Sequence, residues 1–163
     1  MTTSRRDFLK TTTVTSGGML MGLVLPASTA VQAAGTVYTP NAWVHIADNN
    51  AITLLTARSE MGQGVFTSMP MLIAEELNVD LSQISVQNAP ANAAAYTNDL
   101  LGAQITGGST SVRDGWEKLR TAGAQVREML ISAAAARWNV DRSSLRADKG
   151  VVHGPGGKKA TYG

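Results

Sequence analysis

Residues 60–77 read Glu-Met-Gly-Gln-Gly-Val-Phe-Thr-Ser-Met-Pro-Met-Leu-Ile-Ala-Glu-Glu-Leu, a glycine-bracketed loop that runs into an apolar, periodic segment. Ser68 and Pro70 predict where a helix opens, because a proline in the first turn loses no hydrogen bond. Apolar residues then recur at helical spacing, and Asn78 predicts the end of the helix. We call residues 60–64 the first glycine loop.

Short strands are predicted around this helix. Residues 43–46 and 52–56 predict a β-hairpin, since the Asp and Asn residues between them favour a turn. Alternating apolar and polar residues at 84–87 predict a third strand. A final small hairpin is predicted from residues 145–147 and 151–153.

A second glycine loop, residues 106–111, reads Thr-Gly-Gly-Ser-Thr-Ser and also precedes a helix. It closes a segment, residues 89–108, of mostly small and polar residues, which predicts a long loop. Ser111 and Asp114 fit a loose capping box at the start of the second helix.

This second helix is predicted to run from Thr110 to near Trp138. Its predicted apolar face comprises Val112, Trp116, Leu119, Val126, Leu130, Ala133 and Ala134. The elements together predict an α+β domain of short antiparallel strands with two main helices.

Composition excludes several classes of protein. The chain has 163 residues, no cysteine and two histidines, so a disulfide scaffold, a zinc ribbon and an iron–sulfur protein are excluded. It carries 14 Lys and Arg against 12 Asp and Glu, but three of these cations and one anion lie in the first 33 residues. The remainder is balanced, which predicts no nucleic-acid-binding face.

The N-terminus has the features of an export signal. Residues 4–10 read Ser-Arg-Arg-Asp-Phe-Leu-Lys, which matches the twin-arginine motif, and an apolar run follows at 17–25. This run is too short to span a bilayer, which needs about 20 residues. We therefore predict a signal peptide at residues 1–33, a mature domain at 34–163, and export to the periplasm in the folded state.

Both glycine loops have the chemistry of a polar binding site. A helix start presents unpaired N–H groups and partial positive charge, and glycine lets a ligand approach the backbone. Hydroxyls in the second loop add donors, and the Gln63 amide offers a donor and an acceptor that suit a heteroaromatic ligand. Ordinary caps and turns are the alternative explanation of both loops.

Familiar phosphate motifs are absent. A dinucleotide fingerprint starting at Gly62 fails at Thr67, and a P-loop ending at Lys158 fails at Val152 and Lys159. Glu60, just before the glycines, is either a general base or a solvated loop carboxylate.

The two loops in this order resemble the molybdopterin-binding subunit of the xanthine oxidase family. The first loop and the segment through Leu77 are similar to that family's Met-Gly-Gln-Gly loop and its helix, and residues 106–112 resemble its second cofactor loop. The export signal, the helix start at residues 70–73 and the segment at 94–98 are similar to the isoquinoline 1-oxidoreductase β-subunit branch, which includes aldehyde dehydrogenase-like members.

The resemblance implies a partial molybdenum-cofactor-binding domain. It implies molybdopterin, in its cytosine dinucleotide form, bound by Gly62, Gln63, Gly64, Thr106, Gly107, Gly108, Ser109, Thr110 and Ser111. It assigns no metal ligand to the protein, because the dithiolene of the cofactor binds molybdenum. It also implies a small 2Fe–2S partner subunit, a cytochrome electron acceptor and a small-molecule substrate, either an N-heterocycle or an aldehyde.

The chain departs from this family in length. The glutamate that acts as base in the family lies in a glycine-rich motif that these 163 residues lack, so no catalytic residue is predicted here. We expect an N-terminal segment of a longer oxidoreductase subunit that is inactive alone. The alternatives are a stand-alone exported binding or accessory module without catalysis, and a decayed gene whose product does not fold.

Overall fold

A four-stranded sheet carries the first half of the fold. The computed structural model describes residues 37–38 and 41–163; the predicted signal peptide and the boundary at residue 34 lie outside these residues. The strand order is β1-β2-β3-β4. The strands are β1 (Val37–Tyr38), β2 (Val44–Ala47), β3 (Ile52–Thr56) and β4 (Ile84–Asn88).

The predicted hairpin is confirmed, and one strand pair departs from the antiparallel pattern. Strands β2 and β3 pair antiparallel, with Val44 opposite Leu54. Strand β4 pairs parallel to β3, with Thr56 opposite Asn88 at their carboxyl ends. Parallel pairing requires a crossover, and the helix between these strands, α1 (Val65–Leu77), supplies it.

Helix α1 begins three residues before the predicted start at Ser68. Gly64, in the left-handed region at φ 82°, is its N-cap, so Pro70 lies inside the helix and is buried. The Ser68 hydroxyl donates to the Gly64 carbonyl rather than capping a new helix. Asn78 ends the helix with φ 57°, as predicted.

The second main helix, α3 (Ser111–Trp138), packs against α1, and Gly123 allows the two helices to approach closely. A Cβ on Gly123 would overlap the Ile73 carbonyl oxygen, so the two backbones approach closely there. The predicted apolar face is wrong at three positions, because Val112, Trp116 and Ala133 are exposed. The buried stripe is instead Ser111, Gly115, Leu119, Ala122, Gly123, Val126, Ile131 and Ala134.

The rest of the chain consists of a long loop and a small sheet. Residues 89–108 form the predicted loop, interrupted by one short helix, α2 (Ala93–Tyr96). The predicted final hairpin is present as β5 (Arg146–Asp148) and β6 (Val151–His153), and β7 (Lys159–Thr161) extends it to three antiparallel strands.

The architecture is the predicted α+β class, with two main helices and short strands around one core. That core joins β2, β3, α1 and α3 and includes Val44, Leu54, Met69, Ile73, Leu119 and Val126. Within the described residues, no helix combines the length and apolar character that a membrane crossing needs.

Candidate functional site

The first glycine loop is organised by its own carboxylate. Glu60 Oε1 accepts the backbone N–H groups of Gly62 (2.8 Å) and Gly64 (3.0 Å), and Oε2 accepts that of Phe66 (2.9 Å). The Phe66 and Gly64 bonds lower the pKa of Glu60 from its usual value. A carboxylate is stabilised at the positive end of a helix, so Glu60 favours the start of α1 at Val65, where Gly64 is the N-cap. Neither sequence interpretation of Glu60, base or solvated carboxylate, anticipated this contact.

Gln63 also bonds within the loop. Its Oε1 accepts the Met61 N–H at 2.6 Å, and its Nε2 donates to the Ser59 carbonyl at 2.8 Å. Gly62 and Gly64 have positive φ, at 94° and 82°, and a Cβ at either would meet nothing within 4 Å. The loop is therefore a self-supported turn whose two glycines leave open space in front of the backbone.

The second glycine loop is built differently. Gly108 and Ser109 both adopt the left-handed region, at φ 59° and 52°. Thr110 is the N-cap of α3, and its Oγ1 donates to the Gly107 carbonyl at 2.8 Å. The same hydroxyl accepts from Nδ2 of Asn98, which is fully buried. Asn98 is a supporting residue that the sequence analysis missed.

The capping box predicted at Ser111 and Asp114 is wrong. Ser111 is the first residue of the helix rather than its cap, and the Asp114 carboxylate faces Arg58 at 2.8 Å instead of the helix start. The first-turn N–H groups of a helix have no intrahelical partner. In the described part of the chain, the side chains of Ser109 and Ser111 make no hydrogen bond, so the second loop keeps unused hydroxyl donors. In the first loop, by contrast, Glu60 and Gln63 already bond backbone N–H groups.

The two loops lie side by side. The Ser59 N–H, just before the first loop, donates to Thr106 Oγ1 at 2.8 Å. A cavity of about 1130 Å³ opens beside this bond. Thr56 and Asn88, the paired carboxyl ends of parallel β3 and β4, lie in its wall. Ligands of open sheets with parallel strands bind outside such carboxyl ends.

The cavity wall contains only part of the predicted site. It is formed by Thr56, Ala57, Arg58, Ser59, Glu60, Met61, Phe66, Asn88, Ala89, Ala91, Asn92, Ala93, Gln104, Ile105 and Thr106. Of the nine predicted residues, Thr106 is in this wall, while Gly62, Gln63, Gly64 and residues 107–111 are not. The structure thus brings the two loops together and places most predicted residues outside the cavity wall.

A buried ion pair lies behind the loops. Arg58 and Asp114 have side chains 1% and 3% exposed and meet at 2.8 Å. Burial alone would raise the pKa of Asp114, but bonds from Lys118, the Asp99 N–H and Arg58 outweigh it and lower that pKa. Sequence patterns gave no signal for this pair, because its members are 56 residues apart.

A protein-built metal centre finds no support in this region. Across residues 41–163, no group of three or more His, Cys, Asp or Glu side chains is arranged to hold a metal ion. Backbone and hydroxyl donors dominate the neighbourhood of the two loops, which suits a polar organic ligand.

Comparisons with known proteins point to one family. A family model described as a molybdopterin cofactor-binding domain matches residues 10–163. The chain is 36% identical over 166 residues to isoquinoline 1-oxidoreductase subunit beta of Brevundimonas diminuta, covering 98% of this chain and 21% of that protein. It is 29% identical over 168 residues to the membrane-bound aldehyde dehydrogenase [pyrroloquinoline-quinone] of Gluconacetobacter polyoxogenes, covering 98% of this chain and 20% of the relative.

A solved structure supports the fold. Quinoline 2-oxidoreductase from Pseudomonas putida 86 superposes with a TM-score of 0.54 at 22% identity, over 73% of this chain and 14% of that chain. This similarity concerns the fold alone. The chain spans about a fifth of the length of the two sequence relatives.

Proposed function

Because this chain belongs to the molybdopterin cofactor-binding domain family, we propose that residues 34–163 form the N-terminal part of such a domain in the large subunit of a molybdenum hydroxylase. The observation that carries the proposal is the Ser59–Thr106 hydrogen bond, which sets both glycine loops beside one cavity. A ligand that touches both loops needs them adjacent, and they are.

The residues present fit a large polar cofactor. The cavity of about 1130 Å³ exceeds the volume of an ordinary small-ligand pocket. Outside the cavity wall, exposed Ser109 offers a hydroxyl, and the start of α3 offers N–H groups that suit phosphate and pterin edges. The Ser111 hydroxyl, in the first turn of α3, is largely buried. When bound, the cofactor supplies the molybdenum centre at which substrate is oxidised, together with the dithiolene that holds the metal.

Each loop has a distinct role in this proposal. Residues 106–111 hold the pterin and phosphate groups through hydroxyl and backbone donors. Gly62 and Gly64 let the cofactor approach the backbone of the first loop, since both lack a Cβ and face open space. Gln63 contacts the cofactor only by exchanging one of its two bonds within the loop. The chain contributes binding and orientation, and no catalytic residue.

Substrate, partners and location form the outer part of the proposal. The names of the relatives favour an N-heterocycle or an aldehyde as substrate. We propose the cytosine dinucleotide form of molybdopterin, a small 2Fe–2S partner subunit and a cytochrome acceptor. The twin-arginine motif at residues 4–10 supports export to the periplasm in the folded state, with the signal peptide removed near residue 33.

One observation favours a second function. Glu60 and Gln63 support the first loop through hydrogen bonds within it, which favours a stand-alone exported binding or accessory module that uses these loops for another polar ligand. The two functions differ in cofactor content, because a stand-alone module would hold no molybdopterin.

The test is metal and pterin analysis of the protein purified from periplasm with its bound subunits. We expect molybdenum and pterin in the wild type. Ser109→Ala/Ser111→Ala removes two donors worth about 1 kcal/mol each, so pterin content falls about tenfold or more. Ser82→Ala, an exposed serine outside the loops, is the matched control and leaves the content unchanged. A wild type that carries neither molybdenum nor pterin contradicts the proposal and favours the stand-alone module.

A further inference from the structure

We propose that the buried Arg58–Asp114 ion pair is the positioning element that holds the two glycine loops at a fixed separation. This inference rests on the proposed function, because the separation matters only if one ligand touches both loops. Arg58 lies two residues before the first loop, and Asp114 lies three residues after the second. The pair therefore ties together the segments that bear the two loops.

The guanidinium of Arg58 reaches three segments. Its Nη2 donates to Asp114 Oδ2 at 2.8 Å, in the first turn of α3. Its Nη1 donates to the Ala57 carbonyl at 2.9 Å, just after β3, and to the Tyr96 carbonyl at 3.0 Å, at the end of α2. The planar fork of arginine fixes the directions of these bonds, which a flexible ammonium does not.

The carboxylate of Asp114 extends the tie to the segment that leads into the second loop. Its Oδ1 accepts the Asp99 N–H at 2.8 Å and Lys118 Nζ at 2.8 Å. Lys118 in turn donates to the Thr97 carbonyl at 3.0 Å. One carboxylate thus fixes the start of α3 and residues 97–99 relative to Arg58.

The energetics favour a geometric role over a stabilising one. Two charges lose their hydration when they are buried, and their mutual attraction often does no more than offset that loss. Arg58 Nε, moreover, is a buried donor without a hydrogen-bond partner in the described part of the chain. A well-packed apolar pair would support the fold as well, but it would not fix the relative orientation of the segments that bear the loops. The Arg58–Asp114 pair contributes this orientation through its directional hydrogen bonds.

The test compares two double variants. Arg58→Met/Asp114→Leu replaces the whole pair by apolar residues. Lys118 loses Asp114 but keeps its ion pair with Asp99 (2.8 Å), so no buried charge is left unpaired. Glu76→Leu/Arg120→Met is the control, since it removes a more exposed Arg–carboxylate pair (2.8 Å) that joins α1 to α3 away from the loops. Each is made in the full chain with its bound subunits. The readouts are thermal unfolding, hydrogen exchange of the Ser59 and residue 106–111 amides, and pterin content.

We expect the Arg58/Asp114 variant to unfold close to the wild-type temperature while its loop amides exchange about tenfold faster. Its pterin content falls several-fold, whereas the control variant changes neither loop exchange nor pterin content. Wild-type loop exchange and pterin content in the Arg58/Asp114 variant would overturn the inference. So would a variant that fails to fold, because the pair would then be a stabilising element.

The two proposals fail separately. If the wild type contains no pterin, the proposed cofactor function is contradicted. Hydrogen exchange of the loop amides then still tests whether the Arg58–Asp114 pair positions the loops. If the wild type contains pterin and the Arg58/Asp114 variant keeps the wild-type loop exchange and pterin content, only the positioning role is contradicted.

Discussion

Ser59 donates its backbone N–H to the Thr106 hydroxyl across 47 residues of sequence, and this bond ties the residue before the first glycine loop to the second loop in the wall of one cavity. The bond ends on a side-chain hydroxyl, so its strength can be tested without altering the backbone.

Thr106→Val keeps the shape of the side chain and removes this acceptor. We expect faster exchange of the Ser59 amide and a loss of about 1 kcal/mol in the free energy of unfolding, because the Ser59 N–H loses its hydrogen bond to Thr106. Hydrogen exchange and urea denaturation measure the two effects. Thr106→Ser retains the hydroxyl and serves as the control; equal exchange in both variants contradicts the role of this bond.

Glu60→Gln tests the carboxylate at the start of α1. The variant loses charge-assisted bonds to Gly64 and Phe66, so these amides should exchange faster than in the wild type. The folded-state pKa of Glu60 is lowered, so its contribution to stability is present above the unfolded pKa and is lost as pH falls through the folded value.

NMR titration of the Gly64 and Phe66 amides in acid follows this loss, and Glu60→Gln should abolish it. Glu75→Gln, an exposed glutamate on the same helix, is the control. An unchanged titration in the Glu60 variant would show that another group holds the helix start.

Gly123→Ala tests the close approach of α1 and α3. The added methyl overlaps the Ile73 carbonyl, which is backbone and cannot move aside, so we expect a loss of about 1–3 kcal/mol in urea denaturation. Gly115→Ala in the same helix is the control. Its methyl meets the Leu119 side chain, which can adjust, and alanine favours a helix by about 1 kcal/mol over glycine. Equal stability of the two variants would place the close packing elsewhere.

Gln63→Ala tests the proposed contact of the first loop with the cofactor. We expect molybdenum and pterin content of the purified complex to fall at least about tenfold, equivalent to about 1.4 kcal/mol of binding. Gln125→Ala, an exposed glutamine on α3, is the control. Unchanged occupancy would remove Gln63 from the site and leave it as an internal support of its loop.

Much of the fold was predictable because its signals are local. Apolar periodicity located both helices, and Asn78, in the left-handed region, ends α1 as predicted. The β2–β3 hairpin and the long loop at residues 89–108 also followed from short-range patterns. One error lies where a distant group competes for the same atoms. Asp114 looked like a capping residue, but Arg58 takes its carboxylate.

The residues of the chain by themselves determined that two glycine loops each precede a helix, and they supported the family resemblance that the match over residues 10–163 confirms. Only the tertiary structure decided that these loops lie side by side, that Glu60 accepts backbone N–H groups at the start of α1, and that Arg58 and Asp114 are joined behind them. The physical reason is the distance along the sequence over which each signal acts. Periodicity, turns and helix ends act within about ten residues, whereas the partner of a buried charge or donor depends on which segments the fold brings together.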